Sequence, residues 1–86
     1  MAIPNNITRE HIFQAMLKIK REGVPARRHE REWAIKYEED IYPCKLLISW
    51  GNIYANGTEL GPNPNVFTTE NAQQYLGHLG FEIVAV

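Results

Sequence analysis

Cysteine occurs once in these 86 residues, as Cys44, and serine once, as Ser49. A lone cysteine excludes an internal disulfide framework and points to a reducing compartment. No apolar run approaches the roughly eighteen residues that a membrane-spanning helix needs. The start, Met1-Ala2-Ile3-Pro4-Asn5-Asn6, lacks the charged and apolar regions of a signal peptide, so the cytoplasm is the expected compartment. Positive charge is missing from almost half of the chain. No Lys or Arg follows Lys45, and from Leu46 to Val86 the only charges are Glu59, Glu70 and Glu82. A glycine-rich phosphate loop is missing too, because Gly57, Gly61, Gly77 and Gly80 read as turn and cap glycines. Ser49 lacks the Gly-x-Ser-x-Gly turn that exposes a hydrolytic nucleophile.

What is present is one small folding unit, residues 1–86, at the short end of what folds alone. Its 44% apolar and 10% aromatic content are those of a globule with a core. The net charge of −1 argues weakly against a polyanionic partner, but the charge is polarised. Lys18, Lys20, Arg21, Arg27, Arg28 and Arg31 crowd one stretch, where only Glu22 and Glu30 oppose them. A chain neutral overall can therefore still turn a basic face toward nucleic acid.

The first helix starts at Thr8, a capping residue, with Ile7 and Ile12 placed as a hydrophobic staple. Ile12, Ala15, Met16 and Ile19 recur at helical spacing, flanked by Phe13 and Leu17. Gly23 stops this helix and Pro25 prevents its return. Residues 25–32 carry no apolar period and read as a basic connector or a short helical turn. Trp33, Ile35 and Tyr37 then alternate with Ala34 and Lys36 as a half-buried strand. Glu38-Glu39-Asp40 makes an acidic turn, and Ile41 to Lys45 returns as a second strand. Pro43 must sit on an edge or at a strand end, where no ladder N–H is needed. A second helix is expected over Leu46–Asn56, with Leu47, Trp50 and Tyr54 on one face and Leu46, Trp50 and Ile53 on the next. Gly51 inside it costs about 1 kcal/mol against alanine, which suggests a close approach at that point. After a loop from Glu59 to Phe67, Thr68 or Thr69 caps a third helix with Ala72, Tyr75, Leu76 and Leu79 at core spacing. Gly80 ends it, and Phe81 to Val86 forms a strand added to the hairpin. The expected class is α+β, three helices packed on a small antiparallel sheet made of the hairpin and the C-terminal strand, loosely winged-helix-like in content.

Catalytic constellations do not emerge. His11, His29 and His78 lie on three elements without metal-ligand spacing. Lys45 could activate Cys44 as a nucleophile, but a partly buried hairpin thiol is the better reading. Three consecutive carboxylates in a turn cannot all converge on one cation, so Glu38-Glu39-Asp40 reads as a solvated turn rather than a metal site. No cofactor is implied and no enzyme activity is expected. Lys18, Lys20 and Arg21 complement the negative end of the first helix, a role that explains them as well as contact with DNA does. Arg27, Arg28 and Arg31 stand outside that helix. Phosphate contact and salt bridges to Glu30, Glu32 or Glu38 account for them equally well on composition.

Larger patterns run through the chain. Ile7-Thr8-Arg9-Glu10-His11-Ile12 is followed by Val24-Pro25 with Arg27-Arg28. Tyr42-Pro43-Cys44-Lys45 leads into Leu46-Leu47-Ile48, with Gly57 and Glu59-Leu60 further on, and Leu79-Gly80-Phe81 closes the chain. The whole, from about Ile7 to Val84, resembles the N-terminal head domain of bacterial modification-dependent, McrA-like restriction endonucleases that carry an HNH nuclease. Cys44 stands where that family favours a second proline, Asp40-Ile41 replaces its glycine and basic residue, and Thr68-Thr69 replaces a common Gly-Gly. The resemblance implies a DNA-binding accessory module of a defence nuclease, reading unmodified or modified double-stranded DNA. It is either an excised domain or a stand-alone relative. It also implies a partner in the nuclease domain of the same or another chain. Tyr42 and Lys45 match the Tyr-Pro-x-Lys motif and join Lys20, Arg27, Arg28 and Arg31 as candidate contacts, although core packing is the stronger reading of Tyr42. The rival expectations are a protein-interaction or oligomerisation domain, motivated by the near-zero net charge and by a C-terminal strand whose one charge is Glu82, and a small stand-alone inhibitor protein.

Overall fold

The computed structural model describes residues 3–26, 28, 33–61 and 66–85. The elements follow in the order α1 (Arg9–Glu22), β1 (Trp33–Tyr37), β2 (Asp40–Pro43), α2 (Cys44–Asn56), α3 (Thr69–His78) and β3 (Glu82–Ala85). This is the expected α+β class.

Local chemistry fixes the helix ends. Thr8 is the extended N-cap of α1, and its backbone N–H donates to Nδ1 of His11 at 2.9 Å. His11 thus fills the third helical position usually given to Glu or Gln in a capping box, with an unprotonated Nδ1 as acceptor. Ile7 and Ile12, the expected staple, are both buried. Helix α2 begins at Cys44, earlier than the expected Leu46. Pro43 is at once the last residue of β2 and the N-cap of α2. Its φ of −64° suits that junction, and it supplies no ladder N–H. Gly57, with φ of 89°, takes the left-handed position that ends α2 and donates to the Ile53 carbonyl. For α3, Thr68 is the cap. Its hydroxyl accepts from the Asn71 N–H at 3.1 Å, while Asn71 Oδ1 accepts from the Thr68 N–H at 3.0 Å.

The sheet has the order β2-β1-β3 and both pairings are antiparallel. Ile35 lies opposite Tyr42 on one side and Ile83 on the other, so these three form the row that faces the helices. Trp33 belongs to the same alternation but stays 43% exposed, against the expected half-buried strand face. It pairs with Ala85 at the far end of the ladder. Ala34, on the opposite face, is buried between Pro43 and Val84, where a small side chain is covered by its larger neighbours. Strand β3 is shorter than expected. Phe81 belongs to the turn, where its N–H donates to the Leu76 carbonyl, and Val86 lies outside the described residues.

Helix α2 is the centre of the core. Cys44 and every residue from Leu46 to Asn52 are buried, so no side of this segment is given to solvent. Helix α1 crosses it at Gly51. A Cβ at that glycine would come within 3.0 Å of Ile12 Cδ1 and 3.5 Å of Ile7 Cγ2, the close approach that the sequence suggests. Polar groups in the core are satisfied. Asn52 Nδ2 donates to the Thr58 carbonyl at 2.9 Å, and Asn56 bridges Asn52 to Asn6. The Tyr75 hydroxyl donates to the Ile7 carbonyl at 2.7 Å, joining α3 to the segment before α1. Under the sheet, Phe13, Tyr37 and Phe81 form a cluster with ring centroids 5.1 to 6.3 Å apart.

The Gly51 contact yields a graded expectation. Gly51→Ala should stay within about 1 kcal/mol of the parent, because the gain in helix propensity offsets a small shift of Ile12. Gly51→Val should cost about 2–3 kcal/mol by forcing α1 away from α2. Urea denaturation of both variants measures the difference, and equal stabilities would remove this contact from the account.

Candidate nucleic-acid interface

The sequence candidates separate into three clusters, and two of the residues, Arg27 and Arg31, lie outside the described residues. Lys20 and Tyr42 come together. From the last turn of α1, Lys20 Nζ reaches Asp40 Oδ2 at 3.0 Å, linking the helix to the tip of the hairpin. Both of these side chains remain about half exposed. The hydrogen bond to Asp40, reinforced by the nearby Tyr42 phenol and by the Asp40 charge, raises the Lys20 pKa. Tyr42 is buried in the core, in line with the stronger sequence reading. Burial raises its phenol pKa, and the Lys20 ammonium offsets part of that shift.

Arg28 stands in a different place. Its backbone N–H closes a turn on the Pro25 carbonyl. Its guanidinium donates to Ser49 Oγ at 2.7 Å through Nη2 and pairs with Glu59 at 3.2 Å through Nη1. With only 12% of its side chain exposed, Arg28 anchors the basic connector to α2 and has little surface left for a phosphate. Among the described residues its carboxylate partner is Glu59 and not Glu38, while Glu30 and Glu32 lie outside the described residues. Ser49 is the sequence signal that foretells such an anchor, since a hydroxyl inside an otherwise apolar helix must find a partner.

Lys45 enters the first turn of α2 and places Nζ 4.9 Å from the centre of the Phe67 ring. No acidic residue shares that turn, and Pro43 offers no side-chain acceptor to it. Among the remaining described cations, Lys18 pairs with Glu22 at 2.8 Å and lies over Trp50. Arg21 is exposed and has no ion-pair partner among the described residues, and the same holds for Lys36 on β1. Sequence reasoning misses Arg9. It lies over Phe81 at 4.6 Å and Phe13 at 5.3 Å and donates to the Leu79 carbonyl, so it ties α1 to the turn before β3. No local pattern announces this tie, because its carbonyl partner is seventy residues away.

Cys44 is fully buried, with Sγ 3.8 Å from the Trp33 carbonyl oxygen, rather than partly buried as the sequence suggests. Among the described residues no group of three His, Cys, Asp or Glu side chains could hold a metal ion. No described helix is long and apolar enough to cross a membrane. Compared with known proteins, the chain matches no family model, no curated protein and no solved structure.

Two expectations follow from this geometry. Arg28→Ala removes the partner of a fully buried hydroxyl and should cost about 1–2 kcal/mol. Lys20→Ala removes only a half-exposed ion pair and should cost less than Arg28→Ala in the same urea titration. Equal losses would mean that Arg28 is not an anchor. The second expectation concerns alkali. The folded-state pKa of Tyr42 is raised above its unfolded value, as is that of Tyr75, also through burial. The neutral phenols therefore favour the fold fully below the unfolded pKa, about 10, and that contribution is lost as pH rises through the raised folded values. The denaturation midpoint should fall as pH climbs past about 10, and Tyr42→Phe should lessen the fall. An unchanged slope in the variant would remove Tyr42 from the effect.

Proposed function

We propose that this chain is a DNA-binding accessory module, acting beside a nuclease of the modification-dependent restriction class, and that it binds rather than catalyses. The observation that carries the reading is the confinement of every Lys and Arg to residues 9–45, with a basic cluster that ends α1 and continues into the connector. Arg21 is exposed there without an ion-pair partner among the described residues. Lys20 is held by a half-exposed carboxylate, a pairing weak enough to be exchanged for phosphate. Lys45, in the first turn of α2, adds a cation where helix N–H groups favour an anion. Arg27 and Arg31, near Arg28 in sequence, are further proposed contacts, and Arg28 itself is fixed to α2. The likeness to the McrA-like head domain supplies the nuclease context and the choice between unmodified and cytosine-modified duplexes. A cytoplasmic site of action agrees with a lone, buried thiol.

A protein-interaction or oligomerisation module is the second reading. It is favoured by β3, an outer strand whose only charged residue is Glu82.

Titration against short unmodified and cytosine-modified duplexes at two salt concentrations tests the first reading. Binding should weaken steeply with salt. The Arg21→Ala/Arg27→Ala/Arg31→Ala variant should lower the salt slope by about 1 for each arginine–phosphate pair it removes, with the fold intact. A well-folded wild type that binds no duplex, or binds without salt dependence, would overturn the DNA reading and leave the interaction module.

A further inference from the structure

A cleft of about 220 Å³ opens between the C-terminal half of α1 and the tip of the β1–β2 hairpin. Its walls are apolar and aromatic, made by Phe13, Met16, Leu17, Tyr37 and Tyr42, and its two charged groups are Lys20 and Glu38. Leu17 on this wall is 56% exposed, a large aliphatic surface that nothing in the described residues covers. The two charges are not equivalent. Lys20 is neutralised by Asp40 at 3.0 Å, whereas Glu38 has no ion-pair partner among the described residues. Glu39 follows it in the turn, so the hairpin tip beside the cleft carries three consecutive carboxylates, Glu38-Glu39-Asp40, of which Asp40 is paired with Lys20. Glu38 also holds a backbone φ of 56° at the first position of a two-residue hairpin turn, where glycine is favoured. A non-glycine residue kept there at a cost in strain is the kind of outlier that accompanies a binding role.

Aromatic walls, a thioether and a carboxylate outside any ion pair among the described residues form an environment for a cation with an apolar stem. Glu38 disfavours an anion on its side of the mouth, so a DNA phosphate fits here only at Lys20. Among protein side chains arginine fits best, since its weakly hydrated, planar guanidinium stacks on aromatic rings and pairs with carboxylates through two parallel donors. We propose that this cleft receives an arginine side chain presented by a partner protein, with the guanidinium set against Phe13 and Tyr37 and paired with Glu38, and with the partner's flanking apolar residue covering Leu17. The proposal rests on Glu38 and not on the cations of the DNA reading, with which the cleft shares only Lys20.

The test is an NMR titration of the full chain with an acetylated, amidated Leu-Arg-Leu peptide, with the same peptide carrying neutral citrulline in place of arginine, and with duplex DNA. The arginine peptide should shift the Met16 and Leu17 methyl signals and the Phe13 and Tyr37 ring signals saturably, and the citrulline peptide should bind about tenfold more weakly. Glu38→Gln should weaken arginine binding by a similar factor. Glu38→Gly should do the same while raising the denaturation midpoint, because it relieves the positive φ, and this separates loss of binding from loss of fold. Equal binding of the two peptides, no saturable shift at millimolar concentration, or full affinity in the Glu38 variants would each overturn the proposal. Failure of duplex binding elsewhere on the chain would count against the DNA module alone.

Discussion

Helix α2 is buried through Cys44 and from Leu46 to Asn52, and a segment with no solvent face obliges α1, β1, β2 and α3 to cover it. Helix α1 can lie close because Gly51 presents no side chain to Ile12. The sheet closes another side through Tyr42 and Ile35, and α3 a further one through Ala72 and Leu76. Burial on this scale would be costly if the polar atoms in the segment were left alone. Ser49 is met by Arg28, and Asn52 by Thr58 and Asn56. The two buried polar residues of the helix thus become its attachments to the basic connector and to the turn that follows it.

The same logic explains the charges. In a domain of this size the long cationic side chains serve as ties between elements distant in sequence. Arg9 connects α1 to the turn before β3, Lys20 connects α1 to the hairpin, and Arg28 joins the connector to α2 and Glu59. Their worth differs with exposure. Arg28 is nearly covered and its hydroxyl partner fully so, which makes its bonds hard to replace. Lys20 and Asp40 are both about half exposed, and pairs of that kind contribute little against solvent and salt.

The regular elements are largely legible in the sequence because their signals are local. The stripe of Ile12, Ala15, Met16 and Ile19, the caps at Thr8 and Thr68, and the stops at Gly23, Gly57 and Gly80 all act within a turn or two of chain. The start of α2 is harder to place, because Pro43 and Cys44 look like strand continuation until the helix is seen to begin directly on a proline cap. Trp33 misleads because alternation assigns a face but not the distance to which that face is covered. The candidate site is less legible. Residue type and clustering put Arg28 beside Arg27 and Arg31, but the partner that decides its role, Glu59, is separated from it by thirty-one residues. Composition cannot reveal such a pairing, and the structure alone removes Arg28 from the exposed group.

Lys20 lies where the two charged regions of the surface meet. On one side are the cations that end α1, and on the other is the acidic tip Glu38-Glu39-Asp40. The ammonium is raised in pKa by Asp40 and by the neighbouring phenol of Tyr42, so it stays protonated over the whole physiological range. A permanent charge in a half-exposed pair can change partners without disturbing the core, because the burial that stabilises the fold lies in α2 and its covers, not in this pair. The hairpin keeps its place by the β1–β2 ladder and by the burial of Tyr42, whichever carboxylate or phosphate Lys20 meets. A small domain can therefore carry a basic end and an acidic tip side by side, since the fold depends on neither and each is available to a partner of opposite charge.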